Sequence, residues 1–534
     1  MINQGKVRRK ELALAIGISL AVGTGTARAE FSANIELSAL DGSNGTVLNG
    51  VAAEDNAGQS VSAAGDFNGD GIDDLVVGAP YASNGAQYAG KAYVLFGSAQ
   101  GVPSSPLNLS NSGLVITGAN LYDSLGSSVS VAGDINGDGV DDLVIGAANS
   151  SLGASYAGAT FVVFGNDQVL PSALSVSDLS GSNGFAILGT SVYSSSGTSV
   201  SGAGDINGDG FDDLIIGAPY TGNGSVYVVF GSDQAWNATL AVSSLDGSNG
   251  FQIDGINQAD SLGTSVSAAG DINGDGTDDL IVGATLAGSE GAYAGAAYVI
   301  FGNNQPWPVS FDLTTLDGNN GFAIVGLTQG DYAGSAVSTV GDVNGDGIDD
   351  VIVGAPQADP NGSQSGASYV VFGSDQGLTH PLNVSALTGS NGFALYGTSA
   401  GDNSGSSVAS AGDINADGVS DLLIGANLAD PHGEASGASY VVFGKQQGQG
   451  WPSTVALSSL NGASGFRAKG VSAGDQSGTS VSGAGDVNSD GKVDFVVGAP
   501  LADPNGIDSG AAYVVYDATA VSSGDIIFSN GFEQ

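Results

Sequence analysis

Asp66-Phe67-Asn68-Gly69-Asp70-Gly71-Ile72-Asp73-Asp74, running directly into Leu75-Val76-Val77-Gly78-Ala79-Pro80, is the stretch whose reading decides the fold. It follows the alternating run Ser60-Val61-Ser62-Ala63-Ala64-Gly65 and precedes a β-branched and aromatic run, Ala92-Tyr93-Val94-Leu95-Phe96-Gly97. Runs this short, bounded by Gly, Pro, Asn or Ser, are strands rather than helices. The acidic phrase recurs from Asp66, Asp134, Asp205, Asp271, Asp342, Asp413 and Asp486, in steps of 68, 71, 66, 71, 71 and 73 residues, with the same runs around it. A fourth strand stands in each unit, as at Gly184 to Gly189, Gly250 to Gly255, Gly321 to Gly326 and Gly392 to Gly397. Seven units of four antiparallel strands predict an all-β fold, a seven-bladed β-propeller, since radial repetition leaves few strand edges exposed. A linear solenoid would need polar capping repeats at both ends. The ends are instead complementary: the chain opens on a fourth-strand segment (Ile35 to Gly50) and closes on a third strand (Ala511 to Tyr516). The first strand is expected to complete the last blade and close the ring.

The acidic phrase carries the chemistry. Side-chain oxygens at positions 1, 3 and 5, a Gly at 6, a backbone carbonyl at 7 and a carboxylate at 9 can converge on one hard cation. The seven predicted ligand sets are Asp66, Asn68, Asp70, Ile72 and Asp74; Asp134, Asn136, Asp138, Val140 and Asp142; Asp205, Asn207, Asp209, Phe211 and Asp213; Asp271, Asn273, Asp275, Thr277 and Asp279; Asp342, Asn344, Asp346, Ile348 and Asp350; Asp413, Asn415, Asp417, Val419 and Asp421; and Asp486, Asn488, Asp490, Lys492 and Asp494, position 7 contributing its carbonyl. Oxygen-only ligands suit Ca²⁺ better than Mg²⁺, which keeps several waters, so about seven Ca²⁺ are expected, one loop per blade. Position 8 is Asp in five units but Ser420 and Val493 in the last two, so it is not a required ligand. Asp, Asn and Gly also favour plain turns, but a turn does not need three converging carboxylates seven times over. The loop is no EF-hand, because its twelfth position is apolar (Val77, Ile145, Ile216), and it lacks the Gly-Gly-x-Gly-x-Asp spacing of a calcium β-roll.

Composition agrees. The 534 residues hold 54 acids against 10 bases, two His and no Cys. Disulfides, thiolate metal sites and cysteine nucleophiles are excluded, and histidine catalysis has little material. Nucleic acid and anionic membrane surfaces would be repelled. Five of the bases (Lys6, Arg8, Arg9, Lys10, Arg28) precede residue 30; with the apolar run Leu12 to Val22 and Ala27-Arg28-Ala29 they predict a signal peptide over 1–29. The propeller is assigned to 30–517 and a C-terminal tail to 518–534. With no later span long and apolar enough for a bilayer, no integral membrane segment is expected in the mature chain, which is read as extracytoplasmic: secreted, periplasmic or surface-held.

The residues that flank each loop closely resemble the FG-GAP repeats of the integrin alpha-chain amino-terminal propeller and its bacterial relatives. Phe-Gly stands at Phe96, Phe164, Phe230, Phe301, Phe372 and Phe443, and Gly-Ala-Pro at Gly78, Gly217, Gly354 and Gly498, over roughly residues 31 to 517. The departures are Gly-Ala-Ala at Gly146, Gly-Ala-Thr at Gly283, Gly-Ala-Asn at Gly425 and Tyr516-Asp517 for the last Phe-Gly. The resemblance implies that the face opposite the calcium loops is the ligand face. It puts Asp55, Asp123, Ser194, Asp260, Asp331, Asp402 and Asp475 there, either as a ring for a cation or polar ligand or, the favoured reading, each as the cap of its own turn. Trp236, Trp307 and Trp451 are read as inter-blade packing before sugar platforms, His432 as a turn residue, and His380 as standing alone in a loop. The expected function is an adhesin-like module holding a protein or glycan. The alternatives are a structural surface protein without a specific ligand, and an enzyme cleaving polysaccharides or phosphodiesters, which would need a nonrepeating polar cluster in one or two blades.

Overall fold

The computed structural model describes residues 31–99, 101, 105–288 and 293–516. The expected signal peptide, 518–534 tail and Val102-Pro103 lie outside them. Seven sheets form a closed ring. In the first blade the antiparallel strands are Ser60–Gly65, Asp74–Ala79, Lys91–Leu95 and Leu114–Thr117. The first strand of each blade is innermost and packs against the first strands of both neighbours; Ser60–Gly65 meets Ser480–Gly485 of the seventh. These strands are stitched together by serine. Val200 N–H donates to Ser128 Oγ at 3.1 Å, Val266 to Ser199 at 3.1 Å, and Val61 to Ser480 at 3.0 Å across the closure.

Second strands such as Asp74–Ala79 are buried along their whole length. That is why they read as unbroken apolar runs and not as alternation. Their side chains fill the cores between blades: Val76, Val94 and Ile116 of the first blade pack with Leu143, Ile145 and Phe161 of the second.

Each blade has five strands, not the expected four. The segment after each of the first six third strands forms a strand of two or three residues parallel to the fourth strand of the preceding blade. Thr239–Ala241 lies on Gly184–Leu188, and Ser310–Asp312 on Gly250–Asp254. It covers a backbone edge that would otherwise stand open. Two or three residues are too few to register as a period.

Closure follows the expected route and adds a second tie. Gly45–Asn49 pairs antiparallel with Ala511–Val515 and completes the seventh blade. Asn34–Glu36 lies parallel to Gly465–Lys469 as the fifth strand of the sixth. There Glu36 is 2.9 Å from Lys469 Nζ and 3.3 Å from His432 Nε2. His432 thus contacts the amino-terminal segment besides closing its own turn.

Candidate functional site

Every acidic loop starts at a bulge in the first strand, between Ala63 and Gly65 in the first blade. Gly65 takes φ 62°, the left-handed region where a side chain is strained. In this loop Asp66 accepts the N–H groups of Asp70 and Gly71, both at 2.8 Å. Asn68 Oδ1 accepts from Asp70 at 2.9 Å, and Asp70 Oδ1 from Ile72 at 3.0 Å. Asp134, Asp205, Asp271, Asp342, Asp413 and Asp486 repeat the first pair of bonds. The position-5 acids Asp138, Asp209, Asp275, Asp346, Asp417 and Asp490 repeat the bond from position 7. Positions 1, 3 and 5 therefore wrap the loop around its own backbone.

Position 9 lies beneath. Asp74, Asp142, Asp213, Asp279, Asp350, Asp421 and Asp494 are all fully buried. Asp74 Oδ1 accepts the N–H of Gly97 at 2.8 Å, and Gly165, Gly231, Gly302, Gly373 and Gly444 donate likewise in their own blades. In six units this bond links the two recurring halves: the glycine after the Phe holds the buried carboxylate of the acidic phrase. A Cβ at Gly97 would run into the Asp73 carbonyl. Burial, reinforced by the loop's own acids, pushes the position-9 carboxyl up to about 8 at Asp74, Asp142, Asp213, Asp279, Asp421 and Asp494, and well up at Asp350. Among the described residues, Asp74 Oδ2 and Asp494 Oδ1 are buried with no hydrogen-bond partner.

The donors are oxygens only, and the deepest is a carboxylate whose charge is uncompensated, which suits a hard divalent cation. Among the described residues no three Asp, Glu or His side chains are gathered as a ready-made cluster. Ion capture would thus have to draw the position-1 and position-5 carboxylates inward, with Asn Oδ1 and the position-7 carbonyl completing the set.

Position 8 has a task that sequence reasoning missed. Asp141 Oδ2 accepts the N–H of Asp66 in the preceding blade at 2.9 Å; Asp212, Asp278 and Asp349 hold Asp134, Asp205 and Asp271 in the same way. Asp73 holds Asp486 at 2.8 Å, from the first blade to the seventh. Position 8 is a latch between blades, and the bulge glycine makes room for it, since a Cβ on Gly65 would collide with the Asp141 carboxylate. Its frequency as Asp despite not being needed as a ligand was the signal.

On the opposite face the carboxylates do not converge on a common ligand. Asp55, Asp123, Asp260, Asp331, Asp402 and Asp475 each accept the N–H three residues upstream, at 2.7–3.1 Å. Ser194 donates to Ser191 and Ala157 carbonyls. They cap their own turns. Trp236, Trp307 and Trp451 stack on Phe185, Phe251 and Phe393 of the preceding blade at 4.2, 4.3 and 4.0 Å, as inter-blade packing requires. His380 is not alone: its Nδ1 accepts the N–H of Ala323 at 3.2 Å.

No helix among the described residues is long and apolar enough to cross a membrane. The FG-GAP repeat model matches residues 57–95, 125–163, 196–229, 262–300, 333–371, 404–442 and 477–515, together just over half of the chain. Integrin alpha-PS5 of Drosophila melanogaster is 35% identical over 186 residues, 35% of this chain and 17% of that protein. Integrin alpha pat-2 of Caenorhabditis elegans is 33% identical over 235 residues, 43% and 18% of the two chains. Phosphatidylinositol-glycan-specific phospholipase D of Bos taurus is 32% identical over 207 residues, 36% and 23%. The matched segments thus span about a fifth of these relatives. The WD40 domain of Toxoplasma gondii coronin superposes at TM-score 0.44 with 10% identity, over 89% of this chain and 85% of that one, too loosely to bear on the argument. With seven matched repeats, one per blade, the chain belongs to the FG-GAP repeat family.

Proposed function

We propose that this chain is a calcium-stabilised binding module of the cell exterior, adhesin-like, with one Ca²⁺ in each acidic loop and the opposite face presented to a protein or glycan. The observation that carries the reading is the buried position-9 carboxylate, repeated seven times beneath an oxygen-only loop. A buried charge without a counter-charge is costly, and a cation is the partner that an oxygen cage without nitrogen or sulfur selects. The integrin alpha likeness supports presentation of the loops on the other face. Both histidines are engaged in structural contacts, His380 with Ala323 and His432 with Gly470 and Glu36, which supports binding over hydrolysis despite the phospholipase D relatives. Native mass spectrometry of the chain after signal-peptide removal should count about seven Ca²⁺, and two or fewer would overturn the metal reading. A screen against glycans and surface proteins, with calcium and with chelator, tests the binding half.

A further inference from the structure

Blade three departs from the repeat in one place. Its second and third strands, Asp213–Ala218 and Ser225–Val229, are joined by six residues, where the other blades use eleven. The shorter loop coincides with polar substitutions on the strands beneath it. Ser225 is paired in register with Asp254; blades two, four and five pair Ala159 with Leu188, Ala296 with Val325 and Ala367 with Tyr396, and the others pair Lys91 with Thr117, Ala438 with Lys469 and Ala511 with Asn49, so blade three alone sets a hydroxyl against a carboxylate. Gln252 stands where blades two, four and five have Ala186, Ala323 and Ala394, blades one and seven Val115 and Val47, and blade six Arg467.

These side chains line one cleft of about 400 Å³ together with Thr190, Thr221 and Asn223. They form a network. Thr221 Oγ1 donates to Ser225 Oγ at 2.7 Å, Ser225 Oγ to Asp254 Oδ1 at 2.7 Å, and Gln252 Nε2 to the same oxygen at 2.6 Å. Both bonds to Asp254 fall on Oδ1, which leaves Oδ2 to accept from a guest. Ser225 is only 4% exposed, so its hydroxyl is held in one place. Tyr220, adjacent in sequence to the lining Thr221, is 67% exposed, whereas Tyr193 has one ring face stacked on Tyr156 at 5.6 Å.

We propose that this cleft is a binding site for a neutral saccharide, which rests on the reading of the chain as a binding module and names one ligand class for it. Hydroxyl, amide and a single carboxylate acceptor match the paired donors and acceptors of sugar hydroxyls, and the exposed ring of Tyr220, next in sequence to the lining Thr221, suits the C–H face of a pyranose ring. The described bases are Lys91, Lys445, Arg467, Lys469 and Lys492, all in blades one, six and seven, so an anionic glycan finds no counter-charge in blade three. One carboxylate is too few for glycoside cleavage by an acid and base pair, so the cleft holds its guest without cutting it.

The test titrates calcium-loaded protein with neutral mono- and oligosaccharides, a uronic acid oligomer and glucosamine, read by ligand-observed NMR and calorimetry. Asp254→Leu and Ser225→Ala place residues that other blades carry, so circular dichroism should show both folded, with Asp254→Leu melting somewhat lower because the buried Ser225 hydroxyl loses its acceptor. A neutral sugar should bind, and Asp254→Leu should weaken it by about tenfold or more, the loss expected for a hydrogen bond to a charged group. Absence of any neutral-sugar binding at millimolar concentration, equal binding by both variants, or preference for the uronic acid or the amine would overturn the proposal. The calcium count is measured on the same samples. A failed sugar titration with seven ions bound defeats this cleft alone, whereas two or fewer ions defeat the calcium reading.

Discussion

Positions 8 and 9 of the acidic loop are neighbours of equal charge with separate tasks. Asp74 is buried under its own loop, while Asp73 reaches across the closure to the N–H of Asp486. Asp74→Ala should therefore remove one bound Ca²⁺ in native mass spectrometry. Asp73→Ala should leave the count unchanged yet lower stability by about 1–2 kcal/mol, because a half-buried N–H loses its acceptor. Equal loss of metal in both variants would show that the cage is misassigned. The raised position-9 carboxyls set a pH dependence with an unusual sign. In six of the seven the folded value of about 8 lies above the ordinary 3.8, and Asp350 is raised in the same direction, so in chelator the folded chain binds more protons than the unfolded one between these limits. The stability contributed is full below about pH 4 and lost as pH rises through 8. In EDTA the melting temperature should fall from pH 5 to pH 8, and the increment added by Ca²⁺ should grow over the same range. A rise in EDTA would mean that these carboxylates are compensated within the protein.

At the scale of strands, the amino-terminal segment does two jobs. Gly45–Asn49 supplies the fourth strand of the last blade, whereas Asn34–Glu36 only covers the outer edge of the sixth. Removing residues 31–39 should leave a closed, monomeric ring with a lower melting temperature. Removing 31–50 strips the seventh blade to three strands with an open edge, and should give aggregation or strand exchange in size-exclusion chromatography. Equal behaviour of the two truncations would contradict this division. The tryptophans belong to this scale as well. Trp307, 8% exposed and stacked on Phe251 across blades, should cost about 3–5 kcal/mol when changed to Ala, whatever sugars are present.

For the whole molecule, the formal charge of −44 makes ion binding and ring stability one question. Seven acidic loops repel one another around a closed ring, and bound cations would relieve that repulsion. If the proposed sites bind with dissociation constants of ~0.2 mM, within the range of extracellular calcium modules, ~2 mM Ca²⁺ would add roughly 1.4 kcal/mol per site. Melting should therefore rise far more in millimolar CaCl₂ than in NaCl of equal ionic strength. Equal rises would reduce the effect to screening. The blade count, the position of an acidic loop between the first and second strands of every blade and the route of closure were legible in the sequence because each rests on a pattern within one unit, compared across seven copies. Alternation in Ser60 to Gly65 and the spacing from Asp66 to Asp74 are local, and local patterns survive in one dimension. The short fifth strands, the latch from Asp73 to Asp486, the Gly97 bond to Asp74 and the cleft around Asp254 were decided only by the tertiary structure. Each joins residues from different strands or blades, 413 positions apart in the case of the latch, and no sequence period encodes which donor a buried oxygen will meet.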